Sequence, residues 1–285
     1  MSARGASVCG SWCSVALGLV RIARFVHPGS ATEQAGVAWG IVEGGADAPV
    51  DALTVAAIDG HPFGALSFTG DRWALPDVRL IAPILPSKVV AVGRNYADHA
   101  KEMGGEVNET PVIFLKPSTS VIGAGDAIRL PPDSTQVDHE AELAVVIGRP
   151  ARDVPVEGAL AHVLGYTVAN DVTARDQQRA DVQFTRGKGH DSFCPLGPWI
   201  ETVLDPSDLR ITAAVNGEIR QDAKTSAMVH DVAHLISFMS GVMTLLPGDV
   251  ILTGTPAGVG PIRDGDTVTI AIDGIGELTN PVRTK

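Results

Sequence analysis

The segment "VDHEAELAVVIG", residues 137–148, joins two acidic residues to a run of apolar ones. The apolar run is typical of a buried strand, and Glu140 and Glu142 stand where that strand begins. Side chains two residues apart in a strand project from the same face, so the two carboxylates are expected to share one site. Neighbouring carboxylates raise each other's pKa unless a shared proton, a basic partner or a metal cation compensates them. From this segment alone, a solvated strand face is the competing interpretation.

Strand-like segments dominate the rest of the chain and predict an α+β fold. Three helices are expected, at about 95–103, 173–180 and 228–245, with a Gly- and Pro-rich loop at 186–198. No regular alternation of strand and helix is visible, which argues against a doubly wound sheet. Strands are predicted at 21–26, 38–44, 53–58, 88–93, 111–117, 142–148, 163–171, 210–217, 249–254 and 267–274.

These segments divide into a small strand-rich N-terminal domain, residues 20–84, and a main domain, residues 85–285. Residues 1–19 imitate a secretory signal only weakly, because Ser, Gly and Cys interrupt their apolar part and no clear small-residue cleavage site follows. A disordered or artefactual extension is the favoured interpretation of that segment.

Composition narrows the class of partner. The chain has 285 residues, with 22 basic and 33 acidic side chains and a net charge of −11, which disfavours a nucleic-acid partner. No window approaches the roughly 20 apolar residues that cross a bilayer, so no membrane partner is expected. The three cysteines, Cys9, Cys13 and Cys194, are too few for a disulfide framework and predict a reducing, cytoplasmic location.

A third acid, Asp171, ends the apolar segment "GYTVAND". With Glu140 and Glu142 it provides three hard oxygen donors without a thiolate or an imidazole. That donor set suits Mg²⁺ or Mn²⁺, with Ca²⁺ as an alternative, and argues against zinc. The sequence therefore predicts a metal site formed by these three carboxylates.

The segment "GRNYADHAKEMGG" carries His99 and Glu102 three residues apart on a predicted helix, hence on one helical face. A carboxylate beside an imidazole favours its protonated form and fixes its orientation, as a general base that takes a proton from water requires. The alternative is an ordinary surface pair.

Arg175 and Gln178 lie three residues apart just beyond Asp171. A guanidinium and an amide in that position could clamp a substrate carboxylate, or could belong to a polar helix surface. Lys188 stands between two glycines, in a segment expected to be a flexible loop that carries an ammonium to an anionic centre. An exposed structural lysine is the alternative.

The glycine-rich segment "LTGTPAGVG", residues 252–260, lacks the features of a phosphate loop or a dinucleotide fingerprint. The backbone at Gly254 and the hydroxyl of Thr255 can still cradle a substrate carboxylate. His230 and His234 are one helical turn apart, but no third ligand is apparent nearby, so they are interpreted as helix-face or interface residues.

Together these segments resemble the fumarylacetoacetate hydrolase family, from about residue 88 to the C-terminus. The resemblance implies a mixed-sheet β-roll, usually a homodimer, and a divalent metal, commonly Mg²⁺, on Glu140, Glu142 and Asp171. It further implies a water-activating His99–Glu102 pair, an enolate-stabilising Lys188, and substrate contacts from Arg175, Gln178 and Thr255. One departure is His230, where relatives more often carry an aromatic or apolar residue. The segments that carry the resemblance are "GRNYADHAKE" (93–102), "FLKPSTS" (114–120), "DHEAELAVVIG" (138–148), "GYTVANDVTARDQQ" (165–178), "GKGHDSFCPLGP" (187–198) and "LLPGDVILTGTPAGVG" (245–260).

The resemblance implies an enzyme that acts on a small anionic 2-oxo or 2-hydroxydienoate acid through a metal-stabilised enolate. The compact N-terminal domain favours the bacterial isomerase and decarboxylase branch, typified by 2-hydroxyhepta-2,4-diene-1,7-dioate isomerase. Acylpyruvate hydrolysis and oxaloacetate decarboxylation are the alternatives within the family. An alternative of another class is a non-catalytic, metal-dependent acid-binding homodimer.

Overall fold

The computed structural model describes residues 20–29, 34–45 and 48–285. The extension expected at residues 1–19, with Cys9 and Cys13, lies outside the described residues. Within the described part the chain forms strands, four short α-helices and several 3₁₀-helices.

The bounds of the strands are β1 Arg21–His27, β2 Gly36–Glu43, β3 Thr54–Ile58, β4 Phe68–Ala74, β5 Arg79–Leu80, β6 Val89–Gly93, β7 Val112–Lys116, β8 Val121–Ile122, β9 Ile128–Leu130, β10 Val137–His139, β11 Ala141–Ile147, β12 Val163–Asn170, β13 Thr173–Ala174, β14 Cys194–Glu201, β15 Arg210–Val215, β16 Glu218–Lys224, β17 Val250–Leu252, β18 Gly260–Pro261, β19 Thr267–Ile272 and β20 Gly276–Thr284. The helices are α1 Ala97–Glu102, α2 Arg175–Ala180, α3 Thr185–Lys188 and α4 Val232–Val242. The 3₁₀-helices are Val50–Ala52, Leu75–Asp77, Ser118–Ser120, Val156–His162, Pro206–Asp208 and Thr225–Ala227.

Three open sheets form the framework. The largest follows the order β4-β3-β2-β1-β14-β12-β11-β17-β6-β7, with β5 paired to β1 and β8 paired to β14. The second has the order β13-β10-β18, and the third has the order β16-β15-β19-β20-β9. Most pairs are antiparallel, whereas β6–β17, β8–β14 and β9–β20 are parallel. The mixed sheets and few helices confirm the α+β prediction.

Strand β11 lies in the middle of the largest sheet and is buried along its whole length. Its neighbours are β12 and β17, with Ala144 opposite both Thr167 and Leu252. A strand that is covered on both faces needs apolar residues at consecutive positions, which explains the unbroken run Leu143–Ile147. This rigid strand fixes the position of the acids at its start.

The predicted N-terminal domain shares the largest sheet with the main domain. Arg21 and Ile22 of β1 pair with Glu201 and Ile200 of β14. The side chain of Trp199 packs in the same apolar cluster as Phe25 and other residues of the N-terminal strands. The proposed division at residue 84 stays a prediction, since backbone pairing continues across the two parts.

The predicted helices are present but shorter than expected, as α1, α2 and α4. The prediction of a loop at 186–198 is wrong, because that segment contains the end of α3 and the first half of β14. Pro195 and Pro198 favour a loop locally, but β14 is buried between β1 and β12, and this tertiary packing prevails. Among the described residues, none of the helices has the length and apolar character to span a bilayer.

Candidate active site

Three acidic side chains meet where β11 begins and β12 ends. Ala141 lies opposite Asn170, and the N–H of Asp171 donates to the carbonyl of Glu140 at 2.9 Å. One carboxylate oxygen from each of Glu140, Glu142 and Asp171 lies within 4.8 Å of the others. These three residues are only 3%, 1% and 0% exposed, so the interpretation as a solvated strand face is wrong.

Buried cations surround two of these acids. The ammonium of Lys188 donates to Glu140 at 2.7 Å and to Asp171 at 2.6 Å. Lys116 donates to the other oxygen of Asp171 at 2.6 Å. The guanidinium of Arg175 pairs with Glu140 and donates to Asp138 at 2.8 Å. Burial alone would raise the pKa of Glu140, but Lys188 and Arg175 outweigh it and hold that pKa well below its usual value.

Glu142 has no such cation. Its carboxylate accepts the N–H of Gly254 at 2.5 Å and forms no ion pair with another described residue. Burial, the charge of Asp171 and the charge of Glu140 raise its pKa well above the usual value for a glutamate. Four buried carboxylates, those of Asp138 and the three clustered acids, therefore face three buried cations, Lys116, Arg175 and Lys188.

A divalent cation fits this arrangement. Three converging carboxylates are hard oxygen donors of the kind that Mg²⁺ and Mn²⁺ prefer. The deficit of positive charge is located at Glu142, where a cation would favour the ionised carboxylate. The hydroxyl of Tyr96 also lacks a hydrogen-bond partner within the described part of the chain, and the charge of Glu142 helps burial to raise its pKa.

The His99–Glu102 pair lies on α1 at the edge of the same site. Nδ1 of His99 is 3.2 Å from Oε2 of Glu102, and His99 is only 5% exposed. The side chain of Glu102 is 35% exposed, and its carboxylate accepts the N–H of Gly258 at 3.0 Å. The surface-pair interpretation is wrong for His99, which lines the cavity beside the acids.

The predicted substrate contacts lie near the cluster, but several of their polar groups are already bonded. Arg175 donates to Gln178 at 2.9 Å in addition to its two acidic partners. The N–H of Gly254 is taken by Glu142. Thr255 accepts a hydrogen bond from Gln221 at 2.8 Å. In this structure Arg175 is held by three partners and the Gly254 amide by Glu142, and their contacts with a substrate carboxylate stay predictions.

Lys188 also differs from its prediction. It ends the short helix α3, is 3% exposed, and its ammonium is fixed between two carboxylates. The flexible loop expected at this position is absent, and the exposed-lysine alternative is wrong. The rings of His230, just before α4, and His234, on α4, stack against each other. Within the described residues, only Glu140, Glu142 and Asp171 form a possible metal cluster.

A cavity of about 340 Å³ opens above the acid cluster. Its apolar wall consists of Val92, Met103, Val112, Phe114 and Phe184. Its polar lining includes His99, Glu140, Glu142, Lys188, Thr255, Arg175, Gln178, Arg94 and Arg179. The cavity therefore combines an acidic and basic floor, an apolar wall and two further guanidinium groups.

Three further residues with clear places in this site were not predicted from the sequence. Lys116 could have been found, because a lysine ends the apolar segment "VIFL" as Asp171 ends its own strand. Asp138, the partner of Arg175, stands directly before His139 in the opening segment. Gln221 carried no local signal, since the residues around it on β16 are mostly exposed.

Two known protein domains match most of the chain. The C-terminal domain of fumarylacetoacetate (FAA) hydrolase matches residues 88–283, and the Rv2993c-like N-terminal domain matches residues 20–83. The structure of 2-hydroxyhepta-2,4-diene-1,7-dioate isomerase from Mycobacterium marinum is 54% identical, with a TM-score of 0.85, over 93% of this chain and 99% of that chain. The mitochondrial oxaloacetate tautomerase Fahd2a of Rattus norvegicus is 45% identical over 217 residues, or 72% of this chain and 69% of the relative.

A third relative is fumarylpyruvate hydrolase from Pseudomonas aeruginosa, whose structure is a complex with Mn²⁺ and pyruvate. It is 36% identical, with a TM-score of 0.68, over 71% of this chain and 91% of that chain. The relatives thus include an isomerase, a tautomerase and a hydrolase.

Proposed function

The chain belongs to the fumarylacetoacetate hydrolase family and is an enzyme of that family, and from this premise we propose that it isomerises a small 2-hydroxydienoate dicarboxylic acid in a divalent-metal-dependent reaction. The reaction type follows the M. marinum isomerase to which the chain is similar. Mg²⁺ is the proposed metal, with Mn²⁺ as the alternative, since Mn²⁺ is bound in the related hydrolase.

The observation that carries the proposal is the acid cluster at the floor of the cavity. One carboxylate oxygen from each of Glu140, Glu142 and Asp171 lies within 4.8 Å of the others, and Glu142 forms no ion pair with another described residue. When bound there, a divalent cation would supply Lewis-acid polarisation, which allows negative charge to develop on a 2-oxo or enol group.

The chain's own residues then bind the acid and move protons. The ammonium of Lys188 lies among the carboxylates and can share its protons with a substrate oxygen that becomes negative. Isomerisation takes the proton from the 2-hydroxyl and returns one to a carbon of the diene, so no atom is gained or lost. His99, oriented by Glu102, is the group on the cavity wall that we propose to carry this proton.

The two guanidiniums at the cavity support a dicarboxylate rather than a monocarboxylate. Arg94 is exposed and has no ion pair or side-chain hydrogen bond with another described residue. Arg179 has only a 3.4 Å bond to Gln136 within the described part of the chain. The second carboxylate of such a substrate could accept hydrogen bonds from these two guanidiniums, which line the same cavity.

Hydrolysis of an acylpyruvate is the second candidate, because the His99–Glu102 pair has the arrangement of a group that deprotonates water. Decarboxylation or tautomerisation of oxaloacetate needs no water, and the R. norvegicus relative carries the tautomerase name. A non-catalytic acid-binding protein is the alternative of another class, but binding alone would not require a buried imidazole beside the cluster.

A substrate panel tests the proposal. The purified full chain is assayed with 2-hydroxyhepta-2,4-diene-1,7-dioate, an acylpyruvate and oxaloacetate, each with Mg²⁺, Mn²⁺ or EDTA. We expect the dienoate to have the highest kcat/KM and EDTA to abolish its turnover. Preferential turnover of another substrate would replace the isomerase assignment, whereas binding of oxalate with Mg²⁺ and no turnover would support the non-catalytic alternative.

We also propose that the protein is a homodimer located in the cytoplasm, as the family resemblance and the cysteine content suggest. Light scattering after size exclusion tests the homodimer, and a monomer mass of 29.6 kDa would contradict it.

A further inference from the structure

Gln221 is a buried residue on β16 whose amide touches both sides of the candidate site. Its Nε2 donates to Oγ1 of Thr255 at 2.8 Å and to the carbonyl of Pro256 at 2.8 Å. Its Oε1 accepts the N–H of Ala141 at 2.9 Å and lies 3.2 Å from Nδ1 of His139. Because His139 and Ala141 flank Glu140, the side chain of Gln221 connects the backbone around Glu140 to Thr255 and Pro256.

The orientation of this amide follows from its backbone partners. The Ala141 N–H can only donate and the Pro256 carbonyl can only accept, so oxygen must face Ala141 and nitrogen must face Pro256. The same assignment makes Gln221 the donor to Thr255. It also makes Nδ1 of His139 a donor, which leaves Nε2 of His139 as the buried atom without a partner among the described residues.

The hydrogen bond from Gln221 determines the role of the Thr255 hydroxyl, which acts as an acceptor in it. A hydroxyl that accepts from Gln221 keeps its own proton free to donate elsewhere. Thr255 is 3% exposed, lines the cavity, and donates to no other described residue. Its proton is therefore available to an oxygen atom in the cavity.

We propose that Gln221 is a positioning residue that turns the Thr255 hydroxyl towards the cavity, so that this hydroxyl donates to a carboxylate oxygen of the bound acid. The proposal rests on the proposed function, since it assumes an anionic substrate in that cavity. Gln221 itself acts through Thr255 and does not line the cavity.

Binding of oxalate in the presence of Mg²⁺, measured by calorimetry, tests the coupling. We expect Thr255→Val and Gln221→Met each to weaken oxalate binding by roughly 10- to 150-fold, the value of one hydrogen bond to a charged group. The double variant should lose about as much as either single variant, because both remove the same donated proton. Additive losses, or no loss in Gln221→Met, would overturn the proposal.

Gln221→Glu distinguishes an effect on the direction of the Thr255 hydroxyl from an effect on packing. The new side chain has the same shape, but its carboxylate can only accept hydrogen bonds. The Thr255 hydroxyl would then donate to that introduced carboxylate and turn its proton away from the cavity. We expect oxalate binding to weaken at least as much as in Thr255→Val, whereas a purely steric role for Gln221 predicts binding like that of the unchanged protein. With a substrate that turns over, KM should rise by a similar factor while kcat changes little, because the contact is present before and during the reaction.

Asn280→Leu is the matched control. Asn280 is also a buried amide, and it donates to the carbonyls of Gly123 and Asp126 at 2.8 Å each, away from the cavity. It should lower stability and leave oxalate binding unchanged. An equal loss of oxalate binding in this control would assign the Gln221 effect to general destabilisation.

The His139 tautomer gives a test that needs no ligand. In ¹⁵N NMR of the full chain we expect neutral His139 with the proton on Nδ1, and a proton on Nε2 would overturn the proposed orientation of Gln221. Failure of the proposed function is recognised separately, because the unchanged protein would then neither turn over the substrate panel nor bind oxalate with Mg²⁺.

Discussion

The acid cluster and the His99–Glu102 pair both place carboxylates beside one cavity, but the fold builds them in opposite ways. The cluster lies at the ends of paired, buried strands, and its residues are at most 3% exposed. The pair lies on the six-residue helix α1, and the Glu102 side chain is 35% exposed. The sheet thus fixes the three acids relative to one another, whereas the pair depends on a short helix and the Gly258 N–H.

The difference in exposure changes how the charges of the acid cluster and of Glu102 are compensated. In the cluster, burial makes an unpaired charge costly, and Lys188, Lys116 and Arg175 form ion pairs with Glu140 and Asp171 but none with Glu142. At the pair, partial exposure of Glu102 lets solvent screen the charge. A site for a fixed divalent cation and a site for proton transfer are therefore neighbours with different surroundings.

The largest effect should come from Glu142→Gln, which removes the cluster's unpaired charge. Loss of groups that merely hold metal ligands costs roughly 10- to 100-fold in metal affinity, so loss of a ligand should lower metal-dependent activity by more than about 100-fold. The metal-free protein should melt no earlier than the unchanged protein, since a repulsion is removed. Steady-state kinetics and thermal melts measure both quantities.

Glu157→Gln serves as the control for that variant, because Glu157 is exposed and does not line the cavity. Unchanged Mg²⁺ dependence in Glu142→Gln would contradict the metal assignment.

Lys188→Met should destabilise the metal-free protein, because Glu140 and Asp171 would lose a buried cation. Breaking a buried ion pair from one side costs about 3–5 kcal/mol of unfolding free energy. Added Mg²⁺ should restore part of that loss and thus stabilise this variant more than the unchanged protein. Urea unfolding with and without Mg²⁺ measures the difference.

The comparison for Lys188→Met is Lys224→Met, which removes an exposed partner of Asp208 and should change little. Equal losses in the two variants would mean that the buried network around Lys188 contributes no special stability.

His99→Ala should leave Mg²⁺ binding intact and lower proton transfer by roughly 100-fold or more. If the protein has hydrolase activity, that activity should fall more than decarboxylation, which needs no activated water. Parallel assays of the two reactions and Mg²⁺ titration measure this separation, with the exposed His234→Ala as control. Equal losses in both reactions would contradict the assignment of His99 as the group that activates water.

The smallest expected effect is the pH dependence of Mg²⁺ binding. Burial and the neighbouring acids raise the pKa of Glu142, so below that pKa a proton must leave before the cation binds. Mg²⁺ affinity should therefore increase with pH by up to about tenfold per unit until the raised pKa is passed. Calorimetry in two buffers of different ionisation enthalpy counts the released proton, and Glu142→Gln should release none.

Much of the fold was predictable because local patterns were strong. The apolar run Leu143–Ile147 predicted the buried strand, and the alternation of side chains placed Glu140 and Glu142 together. The Gly- and Pro-rich segment at 186–198 was misinterpreted, since burial of β14 overrides local preferences that favour a loop. Lys188 was identified, but its burial was not, because three-dimensional neighbours determine exposure.

The sequence by itself determined the strand-rich α+β character, the order of the functional segments and the types of donor that Glu140, Glu142 and Asp171 provide. Only the tertiary structure decided which charges pair, that Arg175 and the Gly254 amide are already engaged, and that Gln221 contacts Thr255. The physical reason is that donor chemistry is a property of each residue, whereas pairing and burial depend on strands brought together from 30 to more than 100 positions apart in the chain.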